Sequence, residues 1–179
     1  AGRECGVLMH MTSLPEGDFG PEAYRFVDIL HNMSASWWQV LPITPAEGSP
    51  FSSFSVFAIQ LRFLSPALLV QKGLLTEKDL RSQRPDETKD EYLKDMVHLA
   101  YERNRENAEY ARFLEEGKYW IRNYAEYWVI KQAQGLKGWW DWDKGLMARE
   151  KASLIRFRQE HALDIEEVQF GQYLLYSQW

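Results

Sequence analysis

Apolar and polar residues follow two different rhythms along the chain, and the change falls near residue 75. In the first part, Val7-Leu8-Met9-His10-Met11 is a short, nearly continuous apolar run, the pattern of a parallel strand buried on both faces. Pro15, Gly17, Asp18 and Gly20 then break the chain into a loop. Pro21 suits the first turn of a helix, where its missing N–H costs no hydrogen bond. Ala23, Phe26, Val27 and Leu30 recur at helical spacing and predict the apolar face of that helix. Trp37-Trp38-Gln39-Val40-Leu41 reads as a second strand, closed by Pro42 and Pro45. A strand, a helix and a strand in this order predict a parallel pair joined by a crossover. A loop rich in Gly, Pro and Ser follows over residues 44–55. Ser65-Pro66 opens a short helix that Gly73 can end, and Thr76 with Asp79 has the spacing of a capping box that starts another.

Beyond residue 75 the strand signal almost disappears. Leu93, Met96, Val97 and Tyr101 share one helical face. Trp120, Ile121, Tyr124 and Trp128 repeat that spacing, as do Ile165, Val168, Tyr173, Leu174 and Tyr176 less regularly. Gly135-Leu136-Lys137-Gly138 and Gly145 mark turns, so four or five helices are expected. The predicted organisation is an α/β part over residues 1–75 and a mainly helical part over 76–179, without a flexible linker between them. Two parallel strands do not form a sheet that stands alone. The chain is therefore expected to be completed by further chain or by a partner.

Composition narrows the function classes. The 179 residues are 45% hydrophobic and 26% charged, an ordinary balance for a folded soluble domain. A net charge of −5 with interspersed signs provides no basic stripe, so nucleic acid is not expected as a partner. One cysteine, Cys5, cannot close an internal disulfide. No apolar stretch approaches the ~20 residues of a membrane span, and the apolar run near the N-terminus is too short for a signal-peptide core. No membrane association and a cytoplasmic location are the expectation. Aromatic residues are unusually frequent, with 8 Trp, 9 Tyr and 9 Phe. Large rings either fill a helical core or stack on the apolar faces of sugars, and composition does not choose between these.

Four blocks in order carry a resemblance. Cys5-Gly6-Val7-Leu8-Met9-His10-Met11-Thr12-Ser13-Leu14-Pro15 resembles the opening strand of the amylomaltases, the disproportionating enzymes of glycoside hydrolase family 77. Gly17-Asp18-Phe19-Gly20-Pro21-Glu22-Ala23-Tyr24-Arg25-Phe26-Val27-Asp28 resembles the next block of that family. So do Trp38-Gln39-Val40-Leu41-Pro42 and Ser49-Pro50-Phe51-Ser52-Ser53-Phe54-Ser55-Val56-Phe57-Ala58. Phe170 to Trp179 resembles the helix that precedes the third strand of the barrel. The resemblance implies the first two strands of an incomplete (β/α)8 TIM barrel followed by a helical insertion. It implies transfer of α-1,4-glucan segments between maltooligosaccharides, by retention through a covalent glucosyl-enzyme intermediate, without metal or organic cofactor. The family's catalytic acids come from the second half of its barrel, so no catalytic residue is expected in this chain. The remainder of the barrel would lie beyond Trp179.

Active sites of such barrels lie at the C-terminal ends of the strands. The loops over residues 12–20 and 44–55 are thus expected to face substrate. The resemblance aligns Ser49-Pro50-Phe51 with a Ser-Pro-Tyr whose tyrosine stacks on the sugar at the cleavage point. Phe51 keeps the ring and lacks the hydroxyl. Ser49 fits two roles equally, holding the loop or contacting a sugar hydroxyl. Gln39 can donate and accept within a polar barrel mouth, or serve structure. His10, mid-strand among apolar residues, is a substrate-contact candidate, although a histidine so placed is more often a satisfied core residue. Asp18 reads as a turn or helix-start residue. Trp139-Trp140-Asp141-Trp142-Asp143 invites a sugar-platform reading, but packing fits a Trp-rich turn in the helical insertion better. The chain also departs from the family: the loops after Pro15 and before Ser49 are shorter, and Ile59-Gln60-Leu61 replaces a usual Gly-Asn-Pro. A non-catalytic glucan-binding module, or a helical interaction domain, is the alternative to an enzyme segment.

Overall fold

A computed structural model describes residues 3–81 and 83–179; Ala1, Gly2 and Ser82 lie outside the described residues. The chain forms two compact units, residues 1–104 with 174–179, and residues 105–173.

In the first unit, β1 (Gly6–Leu8) and β2 (Trp37–Gln39) are parallel neighbours in the register Gly6↔Trp37, Val7↔Trp38 and Leu8↔Gln39. The parallel pairing agrees with the β-α-β order, but each strand is shorter than its apolar run. Both-face burial is not found. Val7 and Trp38 are half-buried, while Leu8 and Trp37 on the other face are mostly exposed. Only one face is covered, by α1 (Pro21–Asn32), whose Phe26 meets the Trp38 ring edge-on with centroids 4.9 Å apart. Trp38 Nε1 also donates to Met9 O at 2.8 Å, which fixes the indole beneath the sheet. Gly6 allows the strands to close: a Cβ there would lie 2.7 Å from Trp37 O. Pro21 does occupy the first turn of α1, and Ala23 and Leu30 are buried. Val27, expected on the apolar face, is exposed, because the covered stripe runs through Ala23, Phe26 and Leu30 alone.

Ser65-Pro66 opens α2 (Pro66–Gln71), and Gly73 follows it with φ +73°. Thr76 and Asp79 make the hydrogen bonds of a cap, since Thr76 N and Oγ1 each donate to Asp79 Oδ2 at 2.7 Å. Among the described residues no helix follows until α3 (Lys89–Asn104); Asp79 instead closes a turn and also receives a two-point hydrogen bond from Arg103. The stripe read from the sequence is the buried face of α3, with Leu93, Met96, Val97 and Tyr101 joined by Ala100. It packs on α2 and on the 3-10 turn Leu61–Phe63 around Phe63, Leu64 and Leu69.

The second unit contains α4 (Ala108–Glu116), α5 (Ile121–Ala133), α6 (Lys144–Met147) and α7 (Lys151–Glu160), with the first part of α8 (Ala162–Gln178). With α3, six helices follow residue 75 among the described residues, against four or five expected. The short α6 gives too few residues for a periodic signal. Ala125, Val129, Ile130, Trp142, Leu146, Leu154, Phe157 and Ile165 form one apolar cluster. Arg158 of α7 neutralises the buried Glu126 of α5. A buried carboxylate is tolerated only with such a partner. Of the Trp-rich turn, only Trp142 packs inward; Trp139 and Trp140 are exposed, which corrects the packing reading for those two.

Candidate functional site

The parallel register places the C-terminal ends of β1 and β2 at one edge of the sheet. Met9 N continues the ladder by donating to Gln39 O at 3.0 Å. His10 is therefore not mid-strand. It caps the 3-10 turn Met11–Ser13, where Thr12 N donates to its Nδ1 at 3.4 Å and Thr12 Oγ1 lies 2.7 Å from the same nitrogen. Nδ1 is used as an acceptor, which leaves the proton of the neutral ring on Nε2. That Nε2 is covered by protein and has no hydrogen-bond partner among the described residues. The ring stands edge-to-face with Phe63 at 5.8 Å. Phe63 in turn stacks on Phe19 at 5.6 Å, so one aromatic column supports the base of the first loop. Gln39, on the same face as Leu8 and Trp37, has an exposed side chain.

Residues 46–53 fold back on themselves. Ala46 and Ser53 form an antiparallel bridge, Glu47 N bonds Ser52 O, and Ser52 N closes a four-residue turn onto Ser49 O at 2.9 Å. Gly48 has φ +73°, where a side chain would be strained, and Pro50 suits the second position of the turn. Ser49 Oγ accepts from Phe51 N at 3.3 Å, which is the loop-holding role. Ser53 Oγ ties the base of the loop to Pro45 O at 2.7 Å. At the tip, the Phe51 ring is 73% exposed. A ring so exposed on a closed turn is held out of the core by its own backbone.

The structure thus joins Ser49 to Phe51, and the end of β1 to Gln39. Among the described residues no hydrogen bond links these two pairs. Asp18 behaves as a turn residue: it is buried, and its Oδ1 accepts from Gly20 N at 2.8 Å at the start of α1. Burial pushes its carboxyl above the usual range, against the lowering effect of the Gly20 N–H and of Lys89. Sequence reading missed Phe63, whose contacts with His10 and Phe19 join residues distant along the chain. It also missed Gln178, whose side chain bonds the backbone of Ser65. Neither has a periodic or motif signal. An exposed ring, a hydroxyl and a carboxamide suit recognition of a hydroxylated ligand with apolar faces. No helix among the described residues is long and apolar enough to cross a membrane.

The chain is similar to known proteins over nearly its whole length. A family model described as 4-alpha-glucanotransferase, glycoside hydrolase family 77, matches residues 8–179. The chain is 38% identical to the 4-alpha-glucanotransferase of Aquifex aeolicus over 189 residues, covering 99% of this chain and 39% of that protein. It is 32% identical to the 4-alpha-glucanotransferase of Streptococcus pneumoniae over 195 residues, with the same coverage. In structure it is similar to the amylomaltase from Streptococcus agalactiae in complex with acarbose, with a TM-score of 0.89 and 31% identity over 99% of this chain and 40% of that one. The chain thus spans about two fifths of the length of the relatives it matches. With nearly its whole length matched, the chain belongs to the 4-alpha-glucanotransferase family, glycoside hydrolase family 77.

Proposed function

We propose that these residues are the N-terminal part of a transferase that moves α-1,4-glucan segments between maltooligosaccharides. In this reading β1, α1 and β2 begin a (β/α)8 barrel, and residues 76–179 are a helical insertion ahead of the third strand. The loop over residues 44–55 faces the bound glucan at the mouth of the barrel. Phe51 supplies an apolar platform for a pyranose face, and the Ser49 hydroxyl holds the turn that presents it. Gln39 offers an amide to sugar hydroxyls at the strand end, and His10, whose ring nitrogens are engaged or covered, orders the first loop rather than bonding substrate itself. The observation that carries the reading is the Phe51 ring, exposed at the tip of a closed turn just after β2, in a chain of this family.

Retention requires a carboxylate nucleophile and a carboxylic acid about 5–5.5 Å apart, the first attacking the anomeric carbon and the second protonating the leaving oxygen. The reading assigns both acids to the part of the protein beyond these residues. The present residues then contribute binding and orientation, which act on the rate only as far as they favour the transition state. Incubation of the complete protein with maltotriose tests the activity, with glucose and longer oligomers followed by chromatography. Formation of both supports transfer; a protein that leaves maltotriose unchanged contradicts it.

A further inference from the structure

The turn Gly138-Trp139-Trp140-Asp141-Trp142 has no role in the function proposed above. Trp142 belongs to the apolar cluster of the second unit, and its Nε1 donates to Lys137 O at 3.1 Å. Trp139 and Trp140 are 54% and 64% exposed, with ring centroids 5.9 Å apart and planes at 78°. The backbone beneath them is pinned. The buried Lys131 donates to Leu136 O and Lys137 O, Asp141 N bonds Gly138 O, and Asp143 N bonds Gln134 Oε1. Leu136 is held at φ +61°, a conformation that non-glycine residues rarely adopt. The Trp140 indole lies on Gly138, where a Cβ would come within 2.4 Å of a ring carbon. The glycine therefore seats the Trp140 indole, and Trp139 meets it in a T-shaped contact, so the two exposed rings form one pair on a pinned turn.

The chemistry of the corner selects its ligand. Two indole faces at a right angle match the apolar C–H faces of consecutive sugar rings. Lys137, Asp141, Asp143 and Lys144 are all exposed around them and can bond sugar hydroxyls.

We infer that Trp139 and Trp140 form a second α-glucan-binding platform, carried by the helical unit, that retains long α-glucan chains. This rests on the reading of the chain as part of an α-1,4-glucan transferase. Affinity electrophoresis of the complete protein through gels containing soluble amylose tests it, with W139A/W140A, W140F and F51A alongside. The wild type should be retarded, and W139A/W140A should lose at least about fivefold in apparent affinity. W140F should recover part of the loss. The KM for amylose should rise with that loss while turnover of maltotriose is unchanged, and equal melting temperatures would exclude misfolding. Retardation that depends on the two tryptophans in a protein unable to turn over maltotriose would support the platform and defeat only the transferase reading. Absence of retardation in the wild type overturns the platform, as does equal retardation of W139A/W140A. Protection of Trp140 from N-bromosuccinimide in the ligand-free complete protein also overturns it, since another part of the protein would then cover the ring.

Discussion

The side-chain amide of Gln178 imitates a strand neighbour for Ser65: Ser65 N donates to its Oε1 at 2.8 Å, and its Nε2 donates to Ser65 O at 2.9 Å. Both residues are buried. Tyr24 OH adds a bond to Gln178 O at 2.8 Å, and Lys72 Nζ one to Ser177 O at 2.9 Å. The last turn of α8 is thereby fixed to the start of α2 and to α1. Ser65 lies just past Phe63, so the same lock steadies the aromatic column under His10.

Gln178→Ala should leave two buried backbone groups of Ser65 without partners and cost about 2–4 kcal/mol of stability. Gln178→Glu should be worse tolerated at pH 7 than at pH 4, because an ionised carboxylate offers no donor to Ser65 O. Urea unfolding of the complete protein at both pH values checks this. Equal midpoints for Gln178→Ala and wild type would show that the lock contributes nothing.

Glu87 gives a pH signature. Its carboxylate accepts from Arg81 at 2.6 and 2.7 Å and from Arg84 at 2.8 Å. The Arg81 hydrogen bonds chiefly lower its pKa, from an ordinary 4.5 to about 2. A depressed folded pKa gives stability that is fully present above the unfolded value and lost as pH falls toward the folded one. The loss should therefore run from about pH 4.5 down to about pH 2. Glu87→Gln should flatten this part of the stability curve and lower stability at pH 7. A Glu87→Gln protein with the wild-type slope in that window would contradict the assignment.

Gly6→Ala should separate the strands. The added Cβ would meet Trp37 O at 2.7 Å and Trp37 Cβ at 2.8 Å, so the strands themselves must move apart. A destabilisation of about 1–3 kcal/mol is expected, with faster amide exchange at Met9, which bonds Gln39 O. Unchanged exchange there would mean that the β1–β2 spacing is not set by the glycine.

The helical stripe of α3 was legible because Leu93, Met96, Val97 and Tyr101 repeat at one period and pack as that period demands. The parallel pair was legible from the order strand, helix, strand, which requires a crossover. Strand extent was not: Met9 N still bonds Gln39 O, but His10 then caps the Met11–Ser13 turn and ends the strand short of its apolar run. Thr76 and Asp79 show how a correct local signal can mislead: the capping hydrogen bonds form, yet Arg103 recruits the carboxylate and no helix follows. At the candidate site, Ser49 and Phe51 were legible through motif resemblance, and the turn that joins them follows from Gly48 and Pro50. The cap made by His10 and the lock between Ser65 and Gln178 depend on tertiary proximity, which periodicity does not encode. The Trp-rich turn was read as packing, and only Trp142 obeys.

These 179 residues alone should not transfer glucose units from maltotriose, because the proposed nucleophile and acid lie outside them. Sensitive chromatography of products against a buffer blank checks this. Turnover abolished by Asp18→Asn, and therefore not due to a contaminant, would put catalytic acids within the chain.

Steady-state kinetics of maltotriose disproportionation by the complete protein test the central claim most directly, comparing wild type with Phe51→Ala and Phe51→Tyr. Loss of the exposed ring should lower kcat/KM by about 5–150-fold, equivalent to about 1–3 kcal/mol of transition-state stabilisation by analogy with aromatic stacking elsewhere. Phe51→Tyr, which keeps the ring face, should match or exceed wild type. A Phe51→Ala protein with wild-type kcat/KM would remove the tip of the 44–55 loop from the glucan site and contradict the account.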